Sequence, residues 1–249
     1  MAGNGCLLLR LGLEEMLVGV KGFVSTGSGE DMKLIVSDTK LTVRGNYDLT
    51  LGSLRVLLLG RSTIGMKLNR EKIHIIDRKL YEVLFKVTEE QATADFTEAS
   101  TSLLTNQIYL TPEIWFTGWF RECTLREDKS ALEVKWNPDL AEHLEPSSES
   151  IYQRFNLNLV KDLTSVLAIR LHRLVQPLTY FKDVSTFTSD LVFRLGIQDF
   201  TGTSKQLKEL LLPAIEEINS VTTLQIKPNH TKKGVVLKLS KVKRVVDEA

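Results

Sequence analysis

Lys205, Lys208, Lys227, Lys232 and Lys233 crowd the last fifth of the chain, and Gln206 lies between the first two. Thr203 and Ser204 come immediately before them. These residue types suit a polyanion. Lysines neutralise phosphates and reach the acceptor edge of guanine, while an amide pairs with adenine. A helix beginning here would add free N–H groups and positive partial charge at the same place. Nothing else in the chain suits covalent or metal chemistry as well. His74, His143, His172 and His230 are scattered, so the His-hydrophobic-His pair of a rolling-circle nickase is missing. There is no GxxxxGK[ST] phosphate loop, and Gly60-Arg-Ser-Thr-Ile-Gly65 resembles neither that loop nor a nucleophile elbow. Glu89/Glu90 and Glu216/Glu217 are adjacent pairs, which diverge on a helix and cannot form one site. Cys6 and Cys123 stand far apart without a CxxC pair, against both a disulfide scaffold and a zinc site. No enzymatic activity, no cofactor and no metal are expected.

The net charge of +1 conceals a division. Up to Tyr152 there are 17 Lys and Arg against 22 Asp and Glu; from Gln153 onward there are 15 against 9. A basic C-terminal half beside an acidic N-terminal half points to an anionic partner for the former. The tail from Lys238 to Arg244 continues the cationic run through Lys241 and Lys243. At 249 residues the chain can hold two ordinary cores. No uninterrupted apolar run is long enough to span a membrane, and the apolar Cys6–Val20 segment lacks the basic start and cleavage site of a signal peptide. A reduced, cytoplasmic setting is expected.

The elements that must carry the lysines follow from periodicity. Leu207, Leu210, Leu211, Ala214, Ile215 and Ile218 recur at i, i+3 and i+4, the buried face of a helix over 201–219. Pro213 sits inside it and should kink or bend it. Two strands follow, over 222–227 and 235–239, joined by the basic turn Asn229–Gly234. A helix running into a two-stranded ribbon with a cationic tip is the working end of a winged helix. The preceding elements complete the plan: a helix over Asp162–Val175 closed by Pro177, a strand at Val184–Thr186, and a helix from Ser189 to Leu195 ended by Gly196.

The same order appears earlier in the chain. A helix over Leu49–Leu59, capped by Thr50 or Ser53, precedes a strand at Ile73–Ile76. Arg78–Phe85 is a helix with its apolar face at Leu80, Val83 and Leu84. Thr88-Glu-Glu-Gln91 is a capping box that opens a helix through Ala92, Phe96, Ala99 and Leu103. Strands follow at Gln107–Leu110, Ile114–Thr124 and Ala131–Trp136, and Asn137-Pro138 ends the last. The expected fold is α+β, two tandem winged helices, over 32–145 and 151–249. The polar stretch Glu145–Ser150 is the boundary between them. Residues 1–31 read either as an extension upstream of a start at Met32 or as a short helix on a linker. In the first copy the second helix is acidic, which is poor for phosphate approach. Its Gln91 and Thr93 could make polar contacts with DNA, and Arg78 and Lys79 could hold the backbone. Trp115, Phe116, Trp119 and Phe120 are expected in the core, with alternation leaving some outward for a partner.

Leu207–Ile218, with Asn219, Thr222 and Lys232-Lys233-Gly234, resembles the C-terminal signature of the plasmid replication initiators with two winged helices. Leu41–Leu58, Ala131–Leu144 and Tyr152–Leu174 resemble further segments of that family in the right order, with His172 in the usual place of a tyrosine. The resemblance implies a bacterial, plasmid-encoded protein that binds directly repeated origin sites (iterons) in duplex DNA. It implies recruitment of the host initiator and helicase, repression of its own gene as a dimer in equilibrium with monomer, and a first winged helix that supplies the dimer interface. One departure stands out. Relatives carry consecutive Arg or Lys at the start of the last recognition helix, where this chain has Gln206-Leu207-Lys208-Glu209. A transcriptional repressor without a replication role, or a protein-binding scaffold, fits the same pattern. Direct repeats beside the gene would favour the initiator, and one inverted repeat over its promoter the repressor.

Overall fold

The computed structural model describes residues 35–38, 49–64, 68–69, 71–109, 115–140, 144, 153–178, 183–197, 199–232 and 234–241, all within one compact unit that spans Lys33 to Ala249. The expected extension at 1–31 and boundary at 145–150 lie outside the described residues. The architecture is α+β. Among the described residues, no helix is long and apolar enough to cross a membrane, and no cluster of His, Cys, Asp or Glu could hold a metal ion.

Strand β1 (Ile35–Asp38) pairs antiparallel with β7 (Gln153–Asn156). Helix α1 (Leu51–Ser62) begins where the Thr50 hydroxyl accepts the Ser53 N–H at 3.2 Å. Leu54, Val56, Leu57, Leu58 and Leu59 are all buried, and so are Ser53, Arg55 and Arg61, so this helix is covered on every side and sits at the centre of the first half. Strand β2 (His74–Asp77) runs directly into α2 (Arg78–Phe85), because the Asp77 carboxylate caps it by accepting the Leu80 N–H at 2.7 Å. Helix α3 (Glu89–Thr105) starts at the Thr88 cap and packs against α1 and α2. Strands β5 (Phe120–Leu125) and β6 (Ala131–Trp136) complete a sheet ordered β2-β6-β5. Its core is aromatic, with Phe120 edge-on to Trp136 at 4.8 Å and Tyr81 edge-on to Phe96 at 5.2 Å.

In the second half, α4 (Val166–Val175), β8 (Asp183–Phe187), α5 (Thr188–Leu195), α6 (Ser204–Val221), β9 (Leu224–His230) and β10 (Gly234–Lys241) follow in turn. The sheet order is β8-β10-β9. In both halves the strand between the first and second helices lies at one edge, and the last strand lies in the middle. The winged-helix order of helices and strands therefore occurs twice.

Four expectations are corrected. The strand expected over 114–124 is broken: Trp115–Thr117 (β4) pairs with Gln107–Tyr109 (β3) in a sheet of its own. Gly118 makes the break. Its φ is +74°, and a Cβ there would lie 2.3 Å from the Leu104 carbonyl oxygen. Val83, expected inward, is 74% exposed, because α2 turns Tyr81, Leu84 and Phe85 to the core instead. Leu210 is 41% exposed, whereas Leu207, Leu211, Ala214, Ile215 and Ile218 are buried as their spacing requires. The helix expected from Asp162 begins at Val166, after a 3-10 turn at Leu157–Leu159, because Ser165 is the residue whose side chain caps it. Of the four aromatics around Gly118, Trp119 and Phe120 are buried and Trp115 is half exposed.

Candidate nucleic-acid interface

Helix α6 exists at its position because both of its ends are tied. At the N-terminus Thr203 and Gln206 form a reciprocal capping box: the Thr203 hydroxyl accepts the Gln206 N–H at 3.3 Å, and Gln206 Oε1 accepts the Thr203 N–H at 2.8 Å. At the C-terminus the Asn219 amide imitates a strand. Its Nδ2 donates to the Ile226 carbonyl at 3.0 Å, and its Oδ1 accepts the Ile226 N–H at 2.7 Å. Thr222 then donates to the Ile218 carbonyl at 2.9 Å and accepts the Leu224 N–H at 3.1 Å, which turns the chain into β9. Each fully buried Leu or Ile on the inner face stabilises the packing by about 1.5–3 kcal/mol. Pro213 lies on the exposed side of the helix, which continues unbroken to Val221.

Ser204 fixes the ribbon against this helix. Its hydroxyl donates to the Thr231 carbonyl at 2.5 Å, so the helix start is joined to the end of β9 at one corner. Gly234 closes that turn, and the Thr231 N–H donates to its carbonyl at 2.8 Å. A side chain cannot stand at Gly234, because a Cβ would lie 2.0 Å from the Thr186 carbonyl oxygen across the sheet. Lys205 and Lys232 are therefore the neighbours of the two bonded residues, and both are exposed. Lys208 follows one turn along the helix and is half-buried. Among the described residues, none of the three makes an ion pair or hydrogen bond. Lys233 lies outside the described residues, as do Lys243 and Arg244.

Lys227 does not join this corner. It alternates with the buried Leu224 and Ile226 on β9 and so stands on the outer face of the sheet, turned away from α6. There it lies directly opposite Lys238 of β10, and both side chains are exposed. Like charges placed directly across a strand pair are unfavourable, so this face also suits an anion.

Three of the first-half candidates, Arg78, Gln91 and Thr93, bond within the protein. Arg78 forms ion pairs with Glu82 at 3.1 Å and Glu89 at 2.7 Å and donates a hydrogen bond to the Thr93 hydroxyl at 3.1 Å, and only 11% of its side chain is exposed. It joins α2 to α3. Gln91 donates to Asp95 at 2.8 Å, and Asp95 in turn accepts from the Tyr81 hydroxyl at 2.6 Å. Burial and the adjacent carboxylate push the Tyr81 hydroxyl well above its ordinary pKa, so it remains a donor. Lys86, Arg121, Arg126 and Lys135 also pair with carboxylates. Among the described residues, cations without such pairing stand in both halves, Lys72, Lys79 and Lys129 in the first and Lys161, Lys205, Lys208, Lys227, Lys232 and Lys238 in the second.

Sequence reasoning missed the structural roles of two residues, one of them Gln206, which it read only as a DNA-contacting amide. Gln206 belongs to the cap, and the signal was the Thr-x-x-Gln spacing already legible at Thr88–Gln91. Glu217 reaches from α6 to the start of α4, where its carboxylate accepts from the backbone N–H and hydroxyl of both Thr164 and Ser165. Partial burial pushes its pKa up, but these bonds hold it below the usual carboxylate range.

Comparison with known proteins agrees with this arrangement. The family described as Initiator Replication protein, WH1, matches residues 34–176. Among solved structures, the Pi initiator protein in complex with iteron DNA superposes with a TM-score of 0.67 at 17% identity. The match covers 84% of this chain and 97% of that one. The WH1 domain of MSBI1.176, a replication protein isolated from a multiple sclerosis patient, gives a TM-score of 0.32 at 22% identity, over 39% of this chain and 80% of that one. No curated protein matches the chain. The first of these structures carries the same fold, and the family match extends over more than half of the sequence: the chain belongs to the replication initiator family with a WH1 domain.

Proposed function

We propose that the protein initiates replication of a plasmid by binding directly repeated duplex sites at its origin, with the corner of α6 and the β9–β10 turn as the main DNA-reading surface. The observation that carries this reading is the Ser204–Thr231 bond, which holds unpaired Lys205, Lys208 and Lys232 in one fixed arrangement. A recognition helix enters the major groove by its N-terminal turns, and a wing beside it meets the backbone. The likeness in fold to an initiator seen in complex with iteron DNA supports duplex binding. Two winged-helix domains divide the work in this reading, with the second, from 151 onward, contacting most of the DNA. The first contributes a dimer interface through which the protein represses its own gene, and the bound protein recruits the host initiator and helicase. No catalytic step is assigned to the chain itself, and the site of action is the bacterial cytoplasm.

Two measurements test it. Duplexes enriched by this protein from a random-sequence pool are titrated at several salt concentrations, with the wild-type chain and with a Lys205→Glu, Lys208→Glu double variant. Losing two phosphate contacts flattens the log–log salt slope by about 1.8 and weakens binding by two orders of magnitude or more at low salt. Unchanged affinity would remove these lysines from the interface. For replication, a plasmid carrying only this gene and its flanking DNA is introduced into a permissive bacterium. Persistence is the expected result, and loss of the plasmid counts against initiation.

A further inference from the structure

We infer that Glu209, the acidic residue in the basic corner, is a specificity-determining residue that accepts a hydrogen bond from the N4 amino group of a cytosine in the major groove. The inference rests on the duplex-binding reading above. With 3.6 residues per turn, Glu209 lies roughly opposite the buried stripe of Leu207, Leu211 and Ile215, on the helix face turned outward. Lys205 precedes it by one turn on the same face. Glu209 is exposed and, among the described residues, makes no ion pair or hydrogen bond. Lys followed by Glu four residues later is the poorer orientation for a helical ion pair, so Lys205 does not draw its charge away. Gln206, the neighbouring amide, has its Oε1 occupied by the Thr203 backbone and hydroxyl. Glu209 is thus the unoccupied acceptor on the outward face of the first three turns.

A carboxylate at this place only accepts hydrogen bonds. Guanine and thymine present acceptors to it and repel it. Adenine offers a donor at N6 but sets the N7 acceptor beside it, while cytosine offers N4 alone. Phosphates repel it too, so the residue tolerates the middle of the groove and not its rim.

Sites are selected from a random-sequence duplex pool with the wild-type chain, Glu209→Ala and Glu209→Gln, after circular dichroism and thermal melting show that all three fold alike. The wild-type sites should contain a cytosine position whose preference, about tenfold or more, is flattened by Glu209→Ala and moved toward adenine by Glu209→Gln. Binding to unrelated duplex should tighten in both variants as the repelling charge is lost. Identical preferences in all three chains overturn the inference, as does an altered position that is not cytosine, or wild-type binding without sequence preference. Those outcomes leave the duplex-binding reading in place. Failure of the wild-type chain to bind any duplex overturns both.

Discussion

Single side chains decide how the second half is assembled, and Glu217 is the clearest of them. Four donors just before α4 converge on its carboxylate, so one residue of α6 both braces the Ser165 cap of α4 and locks the two helices together. Glu217→Gln keeps the shape but removes the charge that favours a helix N-terminus, and should cost about 1 kcal/mol in a urea melt at neutral pH. Because the folded-state pKa lies below the ordinary carboxylate value, this contribution is full above that value and fades as pH falls through the folded one. A variant with unaltered stability would show the cap to be dispensable. His172 acts in the same direction for a different reason. Burial lowers its pKa from 6.5 to about 4, so the folded state takes up its proton later than the unfolded chain. Stability is complete above pH 6.5 and declines as pH falls toward 4, with an upper bound of about 3 kcal/mol. Replacing His172 by Leu should flatten the melting temperature over that window, and an unchanged slope would assign it to other groups. Burial also lowers the pKa of His74, with Lys72 adding to the effect, so some slope of the same sign will remain. Neither role was legible in the sequence. Glu217 reads as half of a surface pair, because the residues it caps lie 52 and 53 positions away.

At the level of elements the periodic signals succeeded where one face meets one core. α3, β6 and most of the inner face of α6 follow directly from apolar spacing and from the Thr88 cap, whereas Val83 of α2 and Leu210 of α6 do not. Periodicity failed where a backbone contact set the geometry. Nothing in Trp115–Leu125 announces that Gly118 must pass within contact of the α3 end, and that passage divides one expected strand between two sheets. The ribbon was undersized for a related reason. β9 extends through Pro228 to His230, which an edge strand allows because proline lacks only a donor that would point away from the ladder. The corner then hinges on Gly234. A Gly234→Ala substitution forces β8 and β10 apart at the Thr186 carbonyl, and the expected cost is about 2–4 kcal/mol in a denaturant melt. Since Thr231 bonds both Gly234 and Ser204, the same change should weaken duplex binding more than its loss of stability explains. Wild-type affinity in a folded Gly234→Ala chain would mean that the wing plays no part.

Across the whole molecule the chain divides by charge and joins by packing. The uneven distribution of lysine and arginine was visible in the sequence, but which cations stay available was not. That depends on carboxylates brought close by folding, such as Glu89 at Arg78 and Asp162 at Lys86. The joint itself was invisible, since it relies on a buried arginine of α1. The Arg55 guanidinium lies 5.0 Å over the Phe85 ring and donates to the Leu163 carbonyl at 3.0 Å, which ties α1 and α2 to the segment leading into α4. Arg55 is 7% exposed, so its removal leaves the Leu163 carbonyl buried without that donor. Arg55→Met should therefore cost about 2–3 kcal/mol, and its deeper effect is on cooperativity. With the joint intact both halves should unfold together. With it weakened, the denaturant slope should fall, and tryptophan fluorescence should no longer coincide with far-ultraviolet circular dichroism, because Trp115, Trp119 and Trp136 all lie in the first half. Coincident transitions in the variant would show that Arg55 serves the first core alone and that other contacts carry the coupling between the halves.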